Sequence, residues 1–306
     1  MKQWATNLQE NSLNGIDNVS IAHASMQQGS DSPAIILVNG RSESYLKYQD
    51  IANHFFDQGF SVYMLDHRGQ GISQRLLANH EKGHVIDFNH YIEDLATFID
   101  DVVVPNKHSN LFILGHSMGG AIVTRYLQTK AHRIDRVILA SPMFGVLLPA
   151  PKPIIKLLAK GIVLTEQCLS TEPSYVLGGN RYEEKPFHGN ELTNDLNRYE
   201  GFCEIYRQYP KIQLGSPTNV WLLQALKACE ECIEQASEIT IPILLLQAGS
   251  DTIVDNRSQD DFGEALNSKL LSFIRMDDAR HEILFESDSI RQPAFEAIEK
   301  FLEYQC

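Results

Sequence analysis

The chain has 306 residues, 43% hydrophobic and 21% charged, the mix of a globular protein with a sizeable core. That composition excludes a disordered, collagenous or coiled-coil architecture, and α/β enzymes of about 200–300 residues often fold as one domain. With 26 basic against 39 acidic residues the formal charge is −13, a field that repels a nucleic-acid duplex, so no nucleic-acid partner is expected.

The first residues, MKQWATNLQENS, carry no apolar stretch and do not read as a signal peptide. Residues 19–25 (VSIAHAS) read as an edge strand. Six apolar runs follow, at 34–39 (AIILVN), 60–66 (FSVYMLD), 111–115 (LFILG), 136–140 (RVILA), 241–248 (IPILLLQA) and 270–276 (LLSFIRM). Continuous runs of this length predict strands buried on both faces. Between and after them, residues 45–58, 91–103, 118–130, 257–267 and 290–304 repeat apolar residues at helical spacing. Strand and helix in alternation predict right-handed crossovers and a mostly parallel sheet flanked by helices.

One connection is too long for a crossover. Residues 143–240 separate the fourth and fifth runs, and an ordinary crossover needs only a few tens of residues. The excess predicts an insertion, helical at 154–164, 192–206 and 220–235, over the strand ends where such sheets bind ligands. The expected organisation is a core of residues 1–142 and 241–306 with a helical cap, or lid, at 143–240. In the cap, Lys152, Lys156 and Lys160 recur every four residues beside Ile154, Ile155, Leu158, Ile162 and Val163. That pattern fits a helix lying at a membrane surface, and equally a cap helix with its lysines in water. No stretch of 18 apolar residues occurs, so a cytoplasmic protein, at most peripheral on the membrane, is expected.

Five cysteines, Cys168, Cys203, Cys229, Cys232 and Cys306, are an odd number spread thinly, which predicts free thiols. Cys229 and Cys232 form one CxxC, without the two further ligands that a zinc site needs.

The sharpest motif is Gly115-His116-Ser117-Met118-Gly119, followed by Gly120, immediately after one buried run and before a helix. A serine on a tight strand-to-helix turn has a strained backbone, so its neighbours must be small, and its Oγ stands clear of the sheet. Such a serine needs a base, and the base an orienting acid, which in these sheets follow it in chain order. Of eleven histidines only His281 follows the last apolar run, and it is expected to be the base. Asp251 directly follows the fifth run and is expected to be the acid, whereas Asp255 reads as a helix cap. His116 is expected to point away from the site, and Asp277 and Asp278 to be solvated turn residues. The oxyanion needs two N–H donors, expected from Met118 and from Arg41 in the loop after the first run.

These segments, with Asp66-His67-Arg68-Gly69-Gln70-Gly71, resemble the α/β-hydrolase superfamily, and within it the monoacylglycerol-lipase-like serine hydrolases. Residues from about 35 to 304 take part, including 39–45 (NGRSESY) and 281–286 (HEILFE). Residues 186–187, 192–193 and 215–218 of the insertion resemble the bacterial lysophospholipases associated with the inner membrane. Many relatives carry His-Gly where this chain has Asn39-Gly40. The resemblance implies that Asp66–Gly71 is structural, with Arg68 tying loops beneath the site. It also implies a lysophospholipid substrate, cleaved to fatty acid and glycerophosphodiester or passing its acyl group to another lipid alcohol.

The expected chemistry is attack by Ser117 on an ester, with His281 as base, Asp251 as its orienter and the Arg41 and Met118 N–H groups on the oxyanion. It requires no metal, no cofactor and no obligate protein partner. A monoglyceride lipase or general carboxylesterase would use the same triad. An aminopeptidase would need acidic cap groups for a free amino terminus, and Glu183, Glu184 and Glu191 are present. A non-catalytic lipid-binding scaffold would be expected to have lost a triad member, and none is lost.

Overall fold

The computed structural model describes residues 2–29 and 31–303. Its frame is one eight-stranded sheet of β1 (Leu8–Asn14), β2 (Ser20–Met26), β3 (Ala34–Val38), β4 (Ser61–Leu65), β5 (Leu111–His116), β6 (Arg136–Ala140), β7 (Ile243–Ala248) and β8 (Leu271–Met276). The spatial order is β1-β2-β4-β3-β5-β6-β7-β8. β3 through β8 are mutually parallel, and β2 runs against both β1 and β4.

The helices lie where the 3.6-residue periodicity put them, with altered ends. A 3-10 turn (Tyr45–Tyr48) leads into α2 (Gln49–Asp57), and α3 (Asn89–Phe98) ends in a π-helical turn (Ile99–Val103); the short α1 (Lys2–Asn7) precedes β1. α4 (Met118–Thr129) starts directly at the nucleophile-like Ser117, and α8 (Asn256–Ala265) and α9 (Asp288–Leu302) complete the core. The expected helix 290–304 ends at Leu302; Tyr304, like Cys306, lies outside the described residues.

Two strand expectations need correction. β2 is not an edge strand, because β1 pairs outside it through all seven residues. β1 (LQENSLN) escaped notice because only Leu8 and Leu13 turn even partly inward. β8, expected to be buried on both faces, is the opposite edge, with Ser272, Phe273 and Arg275 exposed. By contrast β3, β4, β5 and β7 are buried at every position. Two apolar cores cover the faces of the sheet, one under α3, α4 and α7 and one under α2 and α9.

Between β6 and β7 the chain forms α5 (Lys152–Leu169), α6 (Leu196–Gln208) and α7 (Asn219–Glu234). α7 seats on α4: Gln128 Nε2 donates to Cys232 O at 2.8 Å and Arg125 Nη1 to Gln235 Oε1 at 2.8 Å. Glu230 of α7 accepts both Lys156 at 2.8 Å and Lys152 at 2.9 Å. The three lysines are therefore not one open basic stripe; only Lys160 is exposed. The four described cysteines are free, three of them buried.

Candidate active site

Strand order reverses between β3 and β5, and at such a switch point two neighbouring loops leave the sheet in opposite directions and open a crevice. The loop after β3 carries Gly40 and Arg41; the turn after β5 carries Ser117. Val38 and Gly115 are register partners, so the two loops start side by side.

Ser117 adopts φ 52° and ψ −118°, a strained conformation for a side-chain-bearing residue. The turn closes only because its flanks are small. A Cβ on Gly119 would lie 2.2 Å from Val38 O, and one on Gly115 3.0 Å from Gly119 O.

Three chain segments then converge. His281 Nδ1 lies 2.7 Å from Asp251 Oδ2, and His281 Nε2 lies 2.9 Å from Ser117 Oγ. Asp251 Oδ1 accepts the Ile253 and Val254 N–H groups at 2.8 and 3.1 Å, which pins the carboxylate with Oδ2 toward the imidazole. Burial alone would raise the Asp251 carboxyl, but His281 and the two N–H groups together hold it below its ordinary value. With Nδ1–H donating to a carboxylate, Nε2 keeps its lone pair and accepts from the Ser117 hydroxyl. Asp255 instead caps α8, accepting the Arg257 N–H at 3.1 Å. Asp277 and Asp278 are exposed.

The Gly40 N–H donates to Glu43 Oε2 at 2.5 Å. The next N–H, of Arg41, has no acceptor among the described residues, nor has that of Met118 at the first position of α4. Two unpaired N–H groups beside a serine at a helix N-terminus form a site for negative charge. The Arg41 side chain is anchored away, donating to Ser42 Oγ and to Gly215 O and lying over the Trp221 ring.

The structural readings of the neighbouring loop hold. Asp66 accepts from Asn39 Nδ2, Ser44 Oγ and the Tyr45 and Ile72 N–H groups, which fixes the loop after β3. Arg68 donates to both oxygens of Asp94 at 2.6 and 2.7 Å and to Ile16 O. His116 does not point away from the site as expected: its ring sits 5.0 Å from that of His281, and it lines the same cavity.

Sequence reasoning missed a buried cluster. Lys47 Nζ lies 2.6 Å from Glu43 Oε1 and 2.5 Å from Glu282 Oε1, and over the rings of Phe202 and Phe285. Glu43, His116 and Glu282 have ligand-type atoms within 4.8 Å of one another. The Lys47 ammonium, however, already bridges the two carboxylates, so the donor set does not fit a metal ion. The only sequence signal was the i, i+4 pair Glu43 and Lys47; Glu282 is 235 residues from Lys47.

These groups open on one cavity of about 420 Å³. Ser117, His281, Arg41 and Glu282 lie on its core side, and Leu192, Tyr199, Phe202, Tyr206 and Trp221 come from the 143–240 segment. Tyr206 Oη donates to Ser42 O at 2.6 Å, and the Glu282 N–H to Leu192 O at 2.8 Å, tying that segment to the loops after β3 and β8.

Burial holds His67, His84 and His116 each down at about 4. The unfolded chain then takes up protons that the folded chain refuses. Their stabilising contribution is complete above the ordinary value of about 6.5 and is lost as the pH falls toward 4. Asp66, raised to about 6, and Glu282, also raised, both by burial, oppose this, whereas His23, His54, His108 and His132, also lowered by burial, add to it. The melting temperature is expected to fall from pH 7 to pH 4.5, less steeply in His84→Gln; an equal slope in the two proteins would contradict the assignment.

A model of the Hydrolase_4 family, described as serine aminopeptidase, S33, matches residues 29–288. The probable lysophospholipase L2 of Haemophilus influenzae is 35% identical over 295 residues, covering 96% of this chain and 91% of that protein. Lysophospholipase L2 of Escherichia coli K12 is 36% identical over 298 residues, covering 95% and 86%. A soluble variant of monoglyceride lipase from Saccharomyces cerevisiae shares the fold with a TM-score of 0.77 at 20% identity, over 99% of this chain and 96% of that one. The chain belongs to the Hydrolase_4 family and is a serine hydrolase of the α/β-hydrolase superfamily.

Proposed function

We propose that this enzyme hydrolyses the carboxylic ester of a lysophospholipid through an acyl-enzyme on Ser117, with residues 143–240 acting as the cap over the site. The observation that carries this reading is the hydrogen-bonded line Asp251–His281–Ser117 opening into a cavity walled by aromatic and aliphatic side chains. His281 takes the Ser117 proton as Oγ attacks the ester carbonyl. The Arg41 and Met118 N–H groups donate to the developing oxyanion, and His281 returns the proton to the departing alcohol. Water, activated in turn by His281, releases the fatty acid.

The lysophospholipid reading draws on the relatives at 35% and 36% identity, whose similarity runs through the cap. An aminopeptidase reading is less well supported. Glu184 is engaged by Arg207 and Glu191 by Lys185, leaving Glu183 as the acidic group for an incoming amino terminus. Hydrolysis in ¹⁸O-water tests the bond broken. Label is expected in the fatty acid and not in the glycerophosphodiester; label on the phosphorus-containing product would contradict the reading.

The cap also offers a route to membrane-borne substrate. On α5, Ile154, Leu157, Leu158 and Leu164 are 52%, 72%, 47% and 61% exposed, all on one helical face, with Ala159 buried beneath. No helix among the described residues is long and apolar enough to cross a membrane. An exposed apolar face of this kind, on a lid over a lipid-ester site, fits shallow insertion into a bilayer surface. Ile154→Glu with Leu157→Glu is expected to weaken binding to phosphatidylcholine vesicles by about tenfold or more. Turnover of soluble p-nitrophenyl butyrate should be little changed; undiminished vesicle binding would contradict the assignment.

A further inference from the structure

Among the side chains of Glu43, Lys47, Glu282 and the adjoining His116, most polar atoms have a partner among the described residues. Glu43 uses Oε1 on Lys47, and Oε2 on the Gly40 N–H and on the Tyr48 hydroxyl at 2.8 Å. Lys47 gives one N–H to each carboxylate and otherwise faces the Phe202 and Phe285 rings, each 4.5 Å away. Glu282 gives Oε1 to Lys47, but its Oε2 has no partner among the described residues, although Glu282 is only 4% exposed. His116 directs Nδ1 at Ala140 O, 3.2 Å away; the carbonyl can only accept, so Nδ1 carries the hydrogen and Nε2 keeps a lone pair.

Glu282 and His116, both of which line the cavity beside Ser117, thus each keep one acceptor, Oε2 and Nε2, without a donor among the described residues. A buried charged acceptor left unpaired is costly, which makes the site selective for a ligand that brings a hydrogen. Its place says which part of the ligand. Glu282 adjoins His281 in the chain, and the His116 ring packs on that of His281. The alcohol that leaves from an ester must be within reach of His281 Nε2 to receive its proton. A Cβ on Gly40 would touch Glu43 Oε2, His116 Cδ2 and Ser117 Cβ at 2.9, 3.2 and 3.2 Å, so the cluster lies against the nucleophile itself.

We propose that Glu282 Oε2, with His116 Nε2, accepts the free hydroxyl on the carbon next to the scissile ester, making Glu282 a specificity-determining residue for the alcohol half of the substrate. This rests on the lysophospholipid reading. It explains how the enzyme would refuse a diacyl lipid, whose second acyl group removes the hydroxyl and its hydrogen.

The test compares kcat/KM for 1-acyl lysophosphatidylcholine and its 2-deoxy analogue, with intact sites counted by fluorophosphonate titration. Choline has no N–H, so any donor effect belongs to the glycerol hydroxyl. The wild type is expected to prefer the hydroxyl-bearing ester by about 10- to 100-fold, as for a hydrogen bond to a charged group. In Glu282→Gln the amide oxygen must face Lys47, which only donates, and the NH₂ takes the place of Oε2. The preference should shrink at least about fivefold. His116→Phe, which removes the second acceptor, should narrow it too, and carries the test if Glu282→Gln has no titratable sites.

A wild type indifferent to the hydroxyl, or variants that lose the same factor on both substrates, would overturn the proposal. So would a preference for ethanolamine over choline head groups that Glu282→Gln abolishes while the hydroxyl preference stays. If wild type hydrolyses no lysophospholipid, the substrate reading fails on its own. The same comparison between 1-acylglycerol and its 2-deoxy analogue then still tests Glu282.

Discussion

Ser117→Ala is expected to lower kcat by about 10⁴–10⁶-fold and to abolish labelling by a fluorophosphonate, with the melting temperature held or raised. The rate loss follows from geometry. Ser117 Oγ is the only hydroxyl among the described residues that hydrogen-bonds His281 Nε2, at 2.9 Å, and it stands beside the unpaired Arg41 and Met118 N–H groups. Those N–H groups and the cavity remain in the variant, so a residual rate above that in water is expected. The stability effect follows from the same turn: alanine at φ 52° keeps the backbone strain but has no hydroxyl held in one orientation. Activity within tenfold of wild type would remove Ser117 from the mechanism.

Asp251→Asn is expected to cost roughly 10⁴-fold in kcat, the size of the tautomer effect in serine proteases. The local hydrogen bonds say why. The Ile253 and Val254 N–H groups require an acceptor at the Oδ1 position, so the asparagine oxygen must stay there. Its NH₂ then faces His281 Nδ1, which becomes an acceptor, and the ring hydrogen moves to Nε2. The imidazole no longer accepts the Ser117 proton. Asp255→Asn, by contrast, replaces one good N-cap of α8 with another and should leave kcat within about threefold. If the Asp255 variant were the more damaged, the two aspartates would exchange roles.

The parts legible in the sequence are those whose reason is local. β3, β5, β6 and β7 announce themselves because strands covered on both faces must be apolar along their whole length. The turn at Ser117 is legible because its glycines are packed against backbone, Gly115 against Gly119 and Gly119 against Val38 and Asn39, which leaves no room for a side chain. Asp251 and His281 are found by chain order alone, one just past the buried β7 and the other just past the edge strand β8. β1 was not legible: a sheet-edge strand with an almost wholly solvated pattern carries no periodic signal. Nor was the pairing of Lys152 and Lys156 with Glu230, since lysines at four-residue spacing look alike whether they face water or a second helix. The Glu43–Lys47–Glu282 cluster was hidden for the same reason. Two of its members lie four residues apart, but the third comes from the far end of the chain, and only the folded sheet brings the loop after β3 to the loop after β8.

The most direct test of the central claim is product analysis after incubation with an equimolar panel of 1-acyl lysophosphatidylcholine, lysophosphatidylethanolamine, 1-acylglycerol, a diacyl phospholipid and an amino-acid anilide. The account predicts free fatty acid with glycerophosphocholine and glycerophosphoethanolamine as the leading products, an intact diacyl lipid and an intact anilide, and none of these products with Ser117→Ala. Fatty acid drawn from 1-acylglycerol alone, or release of the aniline, would contradict it.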